Sequence, residues 1–152
     1  MVFAKTSKAA SRLSEMIRVK SFKKTYLAVV RGILERKQGN LENYLWKDEA
    51  LNKSKVVSKE KKGSKLARLS YEVIKEENDL SLVKIELETG RHHQIRVQFS
   101  NINHSLYGDQ KYGNGPANTQ IALWSYQISF RHPVKDQMME LNAMPEGFPM
   151  EL

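Results

Sequence analysis

Between Leu66 and Leu87 the sequence alternates so regularly that few folds can hold it. Ala67, Leu69, Tyr71 and Val73 are interleaved with Arg68, Ser70, Glu72 and Ile74; after Asn78-Asp79 the alternation resumes through Val83, Ile85 and Leu87. A period of two sends every second side chain to one face of an extended strand, and Asn-Asp supplies turn chemistry between the halves. The segment predicts a β-hairpin with one face turned to a core.

The rest of the chain patterns around that hairpin. Thr6-Ser7 precede Lys8 to Lys20, where Ala9, Leu13, Met16 and Ile17 recur at helical spacing and cations gather near the end, as in an N-capped amphipathic helix. Lys24 to Val30 (KTYLAVV) is rich in strand formers and stops at Arg31-Gly32. Residues 33–64 hold only short apolar pieces, Leu41 and Tyr44 to Trp46, which predict one or two short strands and a long loop. Gly90 breaks the period after the hairpin, and Arg91 to Ser100 can run as a helix with Ile95 and Phe99 one turn apart. Beyond a turn-rich stretch, Asn103 to Asn118, the residues Ala122, Trp124, Tyr126, Ile128 and Phe130 alternate in a further strand, and Met138 to Leu141 form the last. The expected class is α+β: a mixed, mainly antiparallel sheet with flanking helices, residues 1–152 forming a single domain. A chain of 152 residues can bury its own core without disulfides or a structural metal.

Charge separates the two halves. Residues 1–70 hold 18 Lys+Arg against 6 Asp+Glu, residues 71–152 hold 7 against 11, and the whole carries +8. The basic half suits a polyanion. Its densest part, Lys53 to Lys65 (KSKVVSKEKKGSK), reads as a mobile loop, either merely solvated or contacting nucleic-acid phosphates through Lys61, Lys62 and Lys65. The absence of cysteine excludes disulfide scaffolds, thiolate zinc sites and cysteine nucleophiles, and fits a reducing cytoplasm. Apolar runs are too short to span a membrane, since Tyr26 to Val30 meets Arg31 and Ile121 to Phe130 is cut by Ser125 and Gln127. A soluble protein is expected.

The densest chemistry lies at Thr89-Gly90-Arg91-His92-His93-Gln94-Ile95-Arg96. Two guanidiniums, two imidazoles and an amide surround a glycine hinge between a strand and a helix, an arrangement suited to gripping a phosphate or carboxylate. The alternative is an exposed basic turn with satisfied histidines. A metal site is not expected: adjacent His92 and His93 would point apart on a helix, while Glu86 and Glu88 lie back on the strand. No phosphate-loop, dinucleotide or nucleophile-elbow pattern occurs.

Four segments, in order, then carry a resemblance: KTYLAVVRG (Lys24 to Gly32), LETGRHHQIRVQFS (Leu87 to Ser100), HSLYGDQKYG (His104 to Gly113) and IALWSYQISFRHP (Ile121 to Pro133). Together they resemble the RluA-type family of pseudouridine synthases over nearly the whole chain. The resemblance implies an RNA-modifying isomerase that detaches uracil from its ribose, rotates it and rejoins it through carbon, with no metal and no cofactor. It implies that Tyr26, in the KxY motif, packs on the target base and is a candidate base in the reaction. Arg96, the last arginine of TGRxHQIR, would form an ion pair with the catalytic aspartate. Arg91, His93 and Gln94 would shape the pocket and contact RNA, and Leu123 would pack near the base. The expected partner is RNA, ribosomal or transfer.

One motif of the family is missing. Its nucleophilic aspartate belongs to an HRLD motif lying upstream of a segment like VFAKTSKAA, whereas here Met1 opens directly onto that segment. No aspartate precedes Asp48, and Asp109 occupies a different place in the family pattern. The chain is expected to begin midway through a strand, to leave an unpaired sheet edge, and not to make pseudouridine as it stands, because neither Tyr26 nor Arg96 can replace a carboxylate nucleophile. A non-catalytic RNA-binding protein derived from the family is the alternative.

Overall fold

The computed structural model describes residues 2–19, 21–116, 118–135 and 137–147. Helix α1 (Ser7–Arg18) starts at Thr6, whose extended backbone and side-chain oxygen, accepting the Ala9 amide at 3.2 Å, form an N-cap. Seven strands follow with one helix among them: β1 (Lys23–Arg31), β2 (Gln38–Asp48), β3 (Lys53–Val57), β4 (Lys65–Glu77), β5 (Leu80–Leu87), α2 (Gln94–Asn101), β6 (Leu123–Arg131) and β7 (Met138–Asn142). They form one sheet in the order β3-β2-β4-β5-β1-β6-β7, every neighbouring pair antiparallel. The α+β class is as expected.

The β4–β5 hairpin is the one the alternation predicts. Asn78 and Asp79 both adopt left-handed backbone, φ 50° and 59°, as a tight two-residue hairpin turn requires. The register shifts between Val73 and Lys75, so Ile74 is an inserted residue and stands exposed. On one face of the sheet, Ala28 and Val30 of β1, Leu69 and Tyr71 of β4, and Val83 and Ile85 of β5 pack against Ile95 and Phe99 of α2 and against Leu106. That face is the main core. On the other, Val29 packs with Leu80 and Ala122.

Three expectations need correction. Half of residues 33–64 is strand, more than the short strands expected, with β2 spanning 11 residues and β3 pairing Lys53 to Val57 against Tyr44 to Asp48. Backbone pairing wins over lysine content there because β3 is an edge strand whose lysines can stand in water, and edge lysines also oppose further pairing. Of the lysine-rich run Lys53 to Lys65, only Ser58 to Ser64 remains loop. The second helix begins at Gln94 rather than Arg91, because His93 takes φ 53° and cannot be its first turn. Finally, Val2 to Ala4 carry no strand pairing, and the sheet is continuous between its outer strands β3 and β7. No helix among the described residues is long and apolar enough to cross a membrane.

Candidate functional site

The junction between β5 and α2 is knotted by Gln94. Its buried amide oxygen accepts from the Thr89 hydroxyl at 2.8 Å and the Arg91 amide at 3.0 Å, while its nitrogen donates to the Arg68 carbonyl at 3.0 Å. A buried amide with its donors and acceptor matched fixes a turn rigidly, because any other geometry leaves polar atoms unpaired. Among the described residues the Arg91 side chain makes one hydrogen bond, Nε to the Leu66 carbonyl at 2.8 Å, and is otherwise exposed.

His92 and His93 do not point apart as their sequence adjacency on a helix would require. Both precede α2, and the left-handed turn at His93 stacks the two rings with centroids 3.8 Å apart. Ser54 Oγ lies 2.9 Å from His92 Nδ1 and 2.9 Å from the His92 carbonyl. Tyr112 is the hub beside them: its hydroxyl accepts the Ser54 amide at 2.7 Å and lies 2.9 Å from His93 Nδ1. Since the hydroxyl oxygen already accepts from Ser54, its own proton is available to His93, whose Nδ1 then acts as acceptor. Burial, aided by the positive charge of Arg96, the neighbouring His92 and Lys111, pushes the His93 imidazole down to about 4. It is neutral at physiological pH.

Arg96, in the first turn of α2, grips Asp109 with two parallel bonds, Nε to Oδ2 and Nη2 to Oδ1, both 2.8 Å. Asp109 is 1% exposed, and its Oδ1 also accepts the amides of Lys111 at 2.9 Å and Tyr112 at 3.0 Å. Burial pushes this carboxyl up, but the Arg96 bond and those two amides outweigh it and hold the group below its ordinary value of 3.8. The Arg96 guanidinium also covers the Tyr112 ring, 5.0 Å from its centroid. The turn carrying Asp109 depends on Gly108, at φ 75°, where a Cβ would come within 2.2 Å of the Gln120 carbonyl oxygen.

Tyr26 lies elsewhere on the same helix-covered face. It pairs with Ile85 on one side and Ser125 on the other, and packs with Leu123 against the core cluster that contains Ile95. Burial raises its phenol pKa, a hydrogen bond with Ser125 opposing, so the proton is retained at neutral pH. Tyr26 and Leu123 are thus brought together, but no hydrogen bond or ring contact joins Arg96 to Tyr26. Glu86, Glu88 and Glu140 line a cavity with Thr25, whose side chain alternates to the opposite face from Tyr26. Among the described residues no group of three or more His, Asp or Glu is placed to hold a metal.

The profile of the RNA pseudouridylate synthase family matches residues 1–101. The chain belongs to this family. Within it, the chain is 35% identical to the uncharacterized RNA pseudouridine synthase YhcT of Bacillus subtilis (strain 168), aligning over 100% of its own length and 49% of the relative's. It is 30% identical to the ribosomal large subunit pseudouridine synthase C of Haemophilus influenzae, over 94% of this chain and 47% of that protein. The chain therefore spans about half the length of the curated relatives it matches. The solved human RNA pseudouridylate synthase domain containing 1 shares the fold, with a TM-score of 0.77 at 20% identity, covering 94% of this chain and 62% of that one. The RluA-type resemblance of the four segments is upheld.

Sequence reading missed three members of this constellation. Asp109 and Tyr112 lie within the HSLYGDQKYG segment, but only the closed turn shows that they hold Arg96 and His93. Ser54 carried no signal, because it sits in the lysine-rich run and is buried only through the pairing of β3 with β2. Lys61, Lys62 and Lys65 are exposed beside the Ser58 to Ser64 loop, with Lys61 4.8 Å above the Trp46 ring.

Proposed function

We propose that the chain forms the uridine pocket of an RNA pseudouridine synthase acting on ribosomal or transfer RNA in the cytoplasm, folded as a single domain over residues 1–152. The observation that carries this reading is the half-buried Tyr26, set beside Leu123 and Ser125 on the helix-covered face of the interior strand β1. An aromatic plane next to an aliphatic wall suits a uracil taken out of its stack, since a flipped base is read by stacking between such groups. Tyr26 is the residue that packs on the base, and Leu123 completes the wall. Arg96, oriented by Asp109 and Tyr112, supplies a fixed guanidinium. Gln94 shapes the junction from inside, while Arg91 and His93 with the lysines of the loop face the RNA backbone.

The same geometry supports inactivity of these 152 residues by themselves. Attack on the uridine needs an ionised carboxylate with a free oxygen. Asp109 is the carboxylate bound to Arg96, yet it is 1% exposed, its Oδ1 accepts three N–H donors and its Oδ2 the fourth, so the closed turn leaves no path for a substrate to reach it. The glutamates near β1 lie on the opposite face. The nucleophile of the reaction is accordingly a residue other than these, in the position the HRLD aspartate holds in the family.

Tritium release from RNA labelled at uridine C5 tests both statements, with the 152-residue chain assayed beside a version extended upstream by an HRLD-bearing segment. Release by the extended protein alone is the expected result. Activity of the short chain would refute the account of Asp109, and silence of both on total cellular RNA, with RNA binding retained, would favour the non-catalytic RNA-binding protein.

A further inference from the structure

Away from Tyr26, the β2–β3 edge carries two recesses that meet at Ser54. One, of about 270 Å³, is lined by Trp46, Lys47, Gly63, Lys65, Arg91 and His92. The other, of about 470 Å³, lies between β3 and the end of α2 and is lined by Lys53, Lys55, Lys111, Tyr112, Ser100 and Asn114. The first contains a sorted set of groups. The Trp46 indole has Lys61 over its ring at 4.8 Å, and the nearest approach to it at Gly63 leaves ordinary contact distance even for an added Cβ. Arg91 is anchored through Nε alone, and among the described residues neither Arg91, Lys61 nor Lys65 is in an ion pair. Lys47 is paired with Glu49 at 2.6 Å. The second recess repeats the theme, with Lys53 5.2 Å from the Tyr112 ring centroid. Burial, and then the charges of Lys47 and Lys111, hold the His92 imidazole below its ordinary range between the two.

We propose that the Trp46 recess binds one nucleotide of single-stranded RNA, its base stacked on the indole in place of the Lys61 ammonium and its phosphate between Lys65 and Arg91, with the strand continuing past Ser54 to Lys53, Lys55 and Lys111. An aromatic face bordered by unpaired cations is what a single strand recognises, because each base has a π-face and each linkage a charge. A duplex keeps its bases stacked on one another and offers the indole nothing. Lys61 marks the ring face as open and electron-rich, and a cation on a flexible stem in an exposed loop can move aside to pair with a phosphate. This subsite rests on the RNA reading above but not on Tyr26 or on the chemistry.

The experiment uses the 152-residue chain carrying Trp124→Phe, so that Trp46 is the only indole. A single-stranded oligoribonucleotide is titrated against it at several salt concentrations, beside its duplex and a poly-glutamate of equal charge. Expected are quenching of Trp46 fluorescence by the single strand alone, about tenfold weaker binding in Trp46→Ala, partial recovery in Trp46→Phe, and a shallower salt dependence in Lys65→Ala and Arg91→Ala. Trp46→Phe and Arg91→Ala keep the test open if Trp46→Ala does not fold. Equal quenching by poly-glutamate or by duplex overturns base stacking. Affinities within twofold of the parent for all the variants overturn the subsite and leave the family reading standing, which tritium release decides separately.

Discussion

Replacing Asp109 by alanine should destabilise the protein by about 3–5 kcal/mol. Removing one partner of a buried ion pair generally costs about 3–5 kcal/mol, because the other charge stays behind in a poor solvent. The Arg96 side chain keeps 20% of its exposure, so water recovers part of that loss and the lower end applies. To this is added the acceptor lost by the Lys111 and Tyr112 amides, roughly 1 kcal/mol each if they stay dry and less as water enters the space left by the carboxylate. Urea unfolding followed by far-ultraviolet circular dichroism measures the effect, and Arg96→Met with the double variant completes a cycle in which the pair should couple by about 2 kcal/mol. The pH dependence has a definite sign. Because the folded carboxyl lies below its ordinary 3.8, its stabilisation is complete above that value and is lost as pH falls through the folded pKa. The gap between parent and Asp109→Ala should thus be constant from about pH 5 upward and narrow below about pH 4. A cost under about 1 kcal/mol, or single effects that simply add, would refute the reading of Arg96 as a side chain held in place by Asp109.

Further outcomes follow from other parts of the site. Gly108→Ala should cost about 3 kcal/mol in the same unfolding assay, since it combines left-handed backbone with a clash against the Gln120 carbonyl that no rotamer relieves. The His93 ring should titrate near 4 by NMR, and because the unfolded residue takes its proton at the ordinary value of 6.5, stability attributable to it should be full above that pH and fall between about 6.5 and 4. Replacing Lys61, Lys62 and Lys65 together by alanine should flatten the slope of log affinity for single-stranded RNA against log salt by about 2; an unchanged slope returns these lysines to plain solvation. In the upstream-extended protein, Tyr26→Phe should retain RNA affinity while slowing tritium release by about a hundredfold or more, and a rate near that of the parent would remove Tyr26 from proton transfer.

What the sequence made legible is what depends on neighbours along the chain. The β4–β5 hairpin could be read because alternation and an Asn-Asp turn are local signals, whereas the bulge at Ile74, counted in the sequence as part of the alternation, emerged only from the pairing with β5. The β3 strand was hidden because its lysines mimic a solvated loop; its strand character comes from register with Tyr44 to Asp48, a partner nothing in Lys53 to Val57 announces. The stacking of His92 on His93 was likewise out of reach, since it hangs on one left-handed residue that a non-glycine rarely adopts.

The same distinction explains why charge foretold a surface while motif spacing did not foretell the Arg96 partner. Strands β2, β3 and β4 are consecutive and β2 pairs with both of the others, so residues close in sequence stay close in space, and a basic stretch of chain becomes a basic edge of sheet. Only the α2 residues and the Lys111 to Asn114 turn are brought to that edge from afar, and they add cations and an aromatic ring to it rather than cancelling it. Asp109 instead reaches Arg96 through a turn whose closure relies on Gly108, Gly113 and Gly115, each with backbone or side-chain atoms too near for a Cβ. Tight backbone approach leaves no periodic trace in a sequence, yet it is what buries the carboxylate and occupies its oxygens. A carboxylate so enclosed is fit to orient a guanidinium, and its burial, more than its pairing, is what separates Asp109 from a group that must meet a substrate.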